Sequence, residues 1–189
     1  WTVGAITGGI TGASAGAGPV ITQTLSNPGT VPGTVTYIVT PTSVAGPCTG
    51  PTYNVVVTVN PAPVGVPAAQ TICSGATTAV VLAASIPSTF TWTVGAITGG
   101  ITGASASNGA VIAQTLTNPS STTAGTVTYI VTPTSTPAGC VGLPFNVVVT
   151  VNLFLLGTPA PQELHGRRDT FLARGASNPS TFTWTVGAI

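Results

Sequence analysis

The acidic, basic and histidine side chains of this 189-residue sequence are confined to one short block. The chain has three Lys and Arg, two Asp and Glu and one His, and residues 1–162 contain none of these types. The members of the block are Glu163, His165, Arg167, Arg168, Asp169 and Arg174. A His with two carboxylates can bind a metal ion or perform acid–base catalysis. A basic recognition loop is the other functional interpretation.

The chain is built from a repeat of 91 to 92 residues. WTVGAITGGITGASA occurs at 1–15 and again, unchanged, at 92–106. A period this long is that of whole domains, because solenoid repeats have about 20–50 residues. The stiff sequence NPAP at 60–63 marks a boundary. Three segments follow: the C-terminal two-thirds of a repeat at 1–60, a complete repeat domain at 61–152 and the N-terminal third of a following repeat at 153–189.

The repeat alignment argues against chemistry in the charged block. Residues 163–174 replace residues 71–82 of the complete unit without an insertion, and His165 stands where the complete unit has Cys73. Local out-of-frame translation or an uncertain sequence assignment explains such a change as well as a functional loop does. Whether the block is genuine sequence stays open, and we predict no catalytic, cofactor-binding or metal-binding residues.

The three cysteines are Cys48, Cys73 and Cys140, and the first and last occupy the same repeat position. We predict a disulfide between Cys73 and Cys140, which lie near the two ends of the complete unit, and expect Cys48 to pair with a cysteine upstream of residue 1. Closing a loop of about 67 residues contributes about 4 kcal/mol in the chain-entropy model. Disulfides imply oxidising, extracellular surroundings. Three buried free thiols are the alternative.

Composition excludes several classes of protein. Only 3% of the residues are charged, against about 25% in ordinary soluble domains. A nucleic-acid-binding protein needs a basic face, and calcium cages and paired-carboxylate hydrolysis need ionised side chains. No apolar run reaches the length of a transmembrane helix, and the N-terminus lacks the features of a signal peptide. We expect no nucleic-acid partner and no membrane insertion.

The periodicity of the complete unit is that of β-strands. Val127, Tyr129 and Val131 alternate with Thr126, Thr128, Ile130 and Thr132, and Phe90 and Trp92 alternate with threonines. Further strands are expected at 68–72, 79–84 and 110–117. Six or seven short strands in about 90 residues predict an all-β fold of tandem immunoglobulin-like β-sandwich domains, with an up-and-down barrel as the alternative. Trp92 is expected in the core and not on a ligand platform.

An ordered series of motifs carries a family resemblance. They are ICSG at 72–75, FTWTV at 90–94, GITGAS at 100–105, QTLTN at 114–118, VTYIVTP at 127–133, GCVG at 139–142 and VVVTVN at 147–152. The series resembles the PKD-like repeats of large Bacteroidota cell-surface proteins, including gliding-motility-associated adhesins. The resemblance implies an immunoglobulin-like fold, export by the type IX route and service as tandem stalk or filament domains. It brings no catalytic site.

These observations favour a non-catalytic extracellular structural repeat that forms the stalk or filament of a large cell-surface adhesin. A carbohydrate-binding β-sandwich module, with a surface polysaccharide as ligand, is the alternative. That alternative requires exposed aromatic side chains, whereas Trp92, Tyr129 and Phe145 all fit the core pattern. We do not predict an enzyme, because a Ser-His-Asp set has to draw on the charged block.

The shifted phase of the repeat predicts assembly. Residues 1–60 lack the first two strands, which 66–84 supply in the complete unit, so an open edge and an uncovered core are expected near Trp1. The counterparts of the missing strands lie in 158–183. We therefore predict head-to-tail packing along one axis, with neighbouring repeats or with copies of the same chain.

Overall fold

The computed structural model describes residues 1–46 and 48–154, together with the backbone of 157–159 and 174–176. The first unit contains β1 (Thr2–Ile6), β2 (Gly33–Val39) and β3 (Tyr53–Val59). The second unit contains β4 (Ala68–Ile72), β5 (Val80–Val81), β6 (Ser88–Ile97), β7 (Ser107–Asn108), β8 (Val111–Ile112), β9 (Gly125–Ser135) and β10 (Phe145–Val151). Beyond it, β11 (Gly157–Pro159) pairs with β12 (Arg174–Ala176).

The predicted all-β class is confirmed. Within the described residues every regular element is a strand, and no helix there could span a membrane. The strong apolar–Thr alternation of the sequence produces this outcome, since a period of two suits a strand with one buried face.

The second unit is a β-sandwich of the immunoglobulin-like type. Its main sheet has the order β4-β10-β9-β6-β7, and β5 pairs with β8 in the second layer. The first residues of the unit contribute to both layers. Gly65 pairs with Ala84 in the second layer. β4 then pairs in parallel with β10 of the main sheet, with Ile72 opposite Val151. The alternative barrel is not formed. The predicted strand at 68–72 is confirmed, whereas those at 79–84 and 110–117 are regular only at β5 and β8.

The core of the second unit lies between these layers. The inward valines of β10 and the inward residues of β9 are fully buried, while the threonines of β9 face outward. From the opposite layer, Ile72, Val80, Leu82, Ile112 and Leu116 complete the same cluster. Trp92 is 5% exposed, so its predicted core position is confirmed.

The three strands of the first unit correspond to β6, β9 and β10 of the second, whereas the counterparts of the short strands β7 and β8 are not regular. β1 pairs with β2 and β2 with β3, and Val3 opposes Tyr37 as Val94 opposes Tyr129. The pairing register shifts at a bulge between Val3 and Ile6 in β1, and at the equivalent place between Val94 and Ile97 in β6. The first unit has no counterpart of β4 or β5 among the described residues. Its fully enclosed core is accordingly small, comprising Ile10, Val35 and Tyr37.

Asn118 fastens the end of β10 to the loop before β9. Its amide nitrogen donates to the carbonyl oxygens of Thr123 and Val151 (3.0 Å each), and its Oδ1 accepts from the Ser120 N–H (2.8 Å). The side chain is fully buried. Asn27 makes the corresponding bonds in the first unit. An Asn before Pro thus supplies the polar partners that a loop crossing the core needs.

We expect Asn118→Ala to lower the free energy of unfolding of the second unit by about 2–3 kcal/mol, because it leaves buried carbonyl groups without donors. Asn146→Ala is the matched control: Asn146 is exposed on β10, and a surface change of this kind costs about 0.5 kcal/mol or less. Urea denaturation with hydrogen exchange resolved by peptide measures both. Equal effects of the two substitutions would contradict the assigned role of Asn118.

Candidate functional site

The structure keeps the predicted disulfide partners apart. Cys73 follows Ile72, whose carbonyl accepts a hydrogen bond from the Asn152 N–H (2.8 Å) at one end of β10. Cys140 lies beyond the other end, where its carbonyl accepts from the Ser135 N–H (2.9 Å). The seven residues of β10 between these ends span about 20 Å, far beyond the reach of a disulfide.

The predicted Cys73–Cys140 disulfide is not formed, and no two cysteines of the described residues are bonded to each other. The physical reason is that β4 runs parallel to β10 and carries Cys73 away from the hairpin that holds Cys140. The pairing of Cys48 with a cysteine upstream of residue 1 stays a prediction. The alternative of buried thiols also fails in part, because Cys48 and Cys73 are exposed and Cys140 is half-buried.

The charged block lies almost wholly outside the described residues. Only the backbone of Arg174 is described, in β12, and the predictions made for Glu163, His165, Arg167, Arg168 and Asp169 stay predictions. In the rest of the described chain, no group of three or more His, Cys, Asp or Glu side chains could hold a metal ion.

Each unit contains the same hydrogen-bonded cluster of four side chains. In the second unit, the Tyr129 hydroxyl donates to Gln114 Oε1 (2.8 Å), and the Gln114 amide donates to the Ser105 carbonyl (2.7 Å). The Trp92 indole N–H donates to that same carbonyl (3.2 Å). The cluster of the first unit is Tyr37, Gln23, Ser14 and Trp1, with the same donors and acceptors. Polar groups of the aromatic residues are thereby satisfied inside the fold.

The sequence GASAG at 12–16 has the G-x-S-x-G spacing of a hydrolase nucleophile motif. That motif places the serine on a turn from a strand into a helix, beside a histidine. Among the described residues, no helix follows Ser14 and no histidine lies beside it. The Ser14 hydroxyl is instead bonded by the Gln23 amide (2.9 Å), as Ser105 is by Gln114. Ser14 therefore belongs to the structural cluster.

A concavity of the first unit is an uncovered part of its core. We call it the open groove. It has a volume of about 1000 Å³ and is lined by Trp1, Ile21, Leu25, Tyr37, Val55 and Val57, among others. Most of its lining is apolar carbon, as expected of an interior surface.

Burial in the second unit identifies the open groove as a core face. Val55 and Val57 are half-buried, whereas their counterparts Val147 and Val149 have no exposure. Leu25 is likewise half-buried, although its counterpart Leu116 is completely enclosed. The sequence around these positions is nearly the same in both units, so the difference comes from what covers them.

Backbone groups along the open groove also lack the hydrogen bonds that their counterparts make in the second unit. In the second unit, the Leu116 N–H donates to the Ala76 carbonyl (3.1 Å), and the Thr78 N–H donates to the Gln114 carbonyl (2.9 Å). Within the described residues, Leu25 and Gln23 have no strand partner for the corresponding groups. An exposed strand edge beside an apolar face is a ready site for β-strand addition. The open edge predicted near Trp1 is thus present among the described residues.

The two-layer sandwich with its paired aromatic cores defines an immunoglobulin-like module. The model of the PKD-like domain family matches residues 1–63 and 70–153. These matches cover well over half of the chain, so the chain belongs to the PKD-like domain family. Such domains are usually extracellular, structural or adhesion-type modules and are typically non-catalytic. No curated protein matches the chain.

The stability of the second unit depends on pH in the alkaline range through the Tyr129 hydroxyl. Burial raises the pKa of the Tyr129 hydroxyl above its ordinary value of 10.0, so the native state holds this proton more tightly than the unfolded chain does. The stability gained is fully present below about pH 10 and is lost as the pH rises through the folded pKa.

We expect Tyr129→Phe to lower stability at neutral pH by about 1 kcal/mol, through the lost bond to Gln114, and to flatten the loss of stability above about pH 10. Urea denaturation of the wild type and the variant over a pH series measures both effects. An unchanged alkaline slope in the variant would show that another group controls it.

Proposed function

We propose that this chain is a non-catalytic structural segment of a large cell-surface adhesin, in which tandem PKD-like units form a stalk or filament. The observation that carries the proposal is that one hydrogen-bonded cluster is built twice from the same residue types. Tyr129, Gln114, Ser105 and Trp92 use their polar groups on one another. Every buried side-chain polar atom among the described residues has a partner, so these atoms serve the fold.

A stalk benefits from the absence of charge in these units. Interactions between ions weaken as salt concentration rises and change as side chains titrate. The described part of the two units is held by apolar packing and by neutral hydrogen bonds among Ser, Thr, Asn, Gln, Tyr and Trp, which salt and pH near neutrality affect little. Membership of a family of usually extracellular domains also supports placing the chain on the cell surface.

A carbohydrate-binding module is the second candidate, because Trp1, Tyr37 and Tyr53 line the open groove. Aromatic faces in a cleft are what a sugar-binding site needs. However, Trp1 and Tyr37 occupy the positions at which the second unit buries Trp92 and Tyr129. Tyr37 is itself fully buried and Trp1 is half-buried, so both side chains serve the core, which favours the structural interpretation.

We expect the shape of the chain to be insensitive to solution conditions. Its radius of gyration by small-angle X-ray scattering, at one protein concentration, should change by less than about 5% between roughly 20 and 500 mM NaCl and between about pH 5 and pH 9. A compaction or expansion well beyond this would indicate that ionic contacts set the arrangement.

Location is tested on intact cells. An antibody raised against residues 61–152 should label unpermeabilised cells, and mild protease treatment should remove the signal. Labelling that requires permeabilisation would overturn the surface function.

A further inference from the structure

The two units are connected by residues 60–66, which we call the joint segment. Its burial alternates along the chain: Pro61 and Pro63 are buried, whereas Asn60 and Ala62 are exposed. A period of two is that of an extended chain with one face against a surface. The two prolines therefore pack against the protein. Among the described strands, none of the first unit contacts one of the second, so strand packing does not set the orientation of the units.

The joint segment lies against the end of the hairpin formed by β9 and β10. We call this surface the seat, and its residues are Pro133, Gly142 and Phe145. The Gly142 N–H donates to the Pro133 carbonyl (2.9 Å), which ties the two sides of the hairpin together. A side chain on Gly142 would collide with the Pro63 carbonyl oxygen, and one on Gly65 would collide with the Phe145 ring. Both sides of the contact therefore require glycine.

Hydrogen bonds to the second layer anchor the later part of the joint segment. The Val64 N–H donates to Ser85 Oγ (3.0 Å), and the Val64 carbonyl accepts from the Ser85 N–H (2.8 Å). The Val66 N–H donates to the Ala83 carbonyl (3.0 Å). The second unit thus holds residues 63–66 from the hairpin on one side and from the second layer on the other.

The first unit holds the chain up to Val59. This residue ends β3 opposite Gly33, and the Asn27 side-chain amide donates to its carbonyl (2.8 Å). Only residues 60–62 lie between the two anchored parts. Each of these three is a proline or precedes one. Proline fixes φ, and the residue before a proline is kept out of the helical region, so the connection is restricted throughout its length.

We propose that the joint segment and the seat form a fixed joint, which holds the two units at a single relative orientation. The partner that the seat accepts is an extended Pro-x-Pro segment of the same chain. Such a segment suits the seat because its backbone is extended before it binds, so little conformational entropy is lost. The joint is a property of the chain itself, and its test is independent of the cell-surface function.

Double electron–electron resonance tests the joint in the full-length chain, with Cys48, Cys73 and Cys140 replaced by Ser. Spin labels are attached at Asn54→Cys on β3 and Thr93→Cys on β6, two exposed positions outside the joint segment and the seat. Unlabelled protein is added in excess, so that only distances within one chain contribute. We expect a single narrow distance distribution. A broad or multi-peaked distribution would overturn the proposal, because the units would then take many orientations.

A substitution in the seat tests which contact fixes the joint. Gly142→Ala places a methyl group where the Pro63 carbonyl lies, so the joint segment has to lift from the seat. We expect the width of the distance distribution to increase by about twofold or more. The matched control is Gly50→Ala at the counterpart position of the first unit, where an added Cβ meets only Pro41, at 3.1 Å. An unchanged width in Gly142→Ala, or equal broadening in the control, would overturn the role of the seat.

A second variant guards against simple unfolding of the second unit. Insertion of Gly-Ser-Gly-Ser between Pro61 and Ala62 leaves every residue of both units in place and makes the connection flexible. The distribution should broaden, while the protection of β9 and β10 from hydrogen exchange should equal that of the wild type. Should Gly142→Ala lose this protection, the insertion decides. A width that the insertion leaves unchanged would show that contacts elsewhere hold the units, and would overturn the proposal.

Discussion

The structure of the second unit depends on one packing contact, that of residues 68–82 against β10, its last strand. NVVVTVN occurs in both units, and its inward valines are fully enclosed only in β10. Burying a valine completely is worth about 1.5–3 kcal/mol relative to exposing it. Three half-covered valines in β3 therefore leave several kcal/mol unrealised, which exceeds the net contribution of most single hydrogen bonds. The free energy available at this face makes it the place at which a unit is completed.

The units obtain a unique core without buried ions. Gln114 receives the Tyr129 hydroxyl and donates to Ser105, and Asn118 ties β10 to its neighbouring loop. Such neutral networks fix the positions of aromatic side chains because a misplaced partner leaves a buried polar atom unsatisfied. A buried ion pair could do the same, but with a larger desolvation cost. Residues 68–82 join this network through Ser74, whose hydroxyl donates to the Asn118 carbonyl and accepts from the Asn118 N–H.

Periodicity in the sequence predicts the strands of the main sheet well. The alternation that ends in Val127, Tyr129 and Val131 requires one buried face, and β9 has it. The short strands β5 and β8 are harder to predict, since their layer is held by isolated bridges and side-chain bonds more than by a regular ladder. The disulfide prediction fails for a topological reason. Spacing along the chain brings Cys73 and Cys140 to opposite termini of a unit, but only strand direction decides that these termini lie at opposite ends of the sheet.

The sequence alone does not reveal the open groove as an apolar surface. Its apolar character is recognised by comparing the burial of equivalent residues in the two units. The same comparison bears on the charged block. A shifted reading frame has no reason to preserve the buried positions of a strand, because hydrophobic residues then fall without regard to the two-residue period. Leu164, Thr170 and Leu172 nevertheless align with the buried Ile72, Thr78 and Val80. Most of the charged residues align with exposed positions. This pattern favours a genuine segment that keeps Leu or Thr at three of the four buried positions, with Arg174 at the position of the buried Leu82.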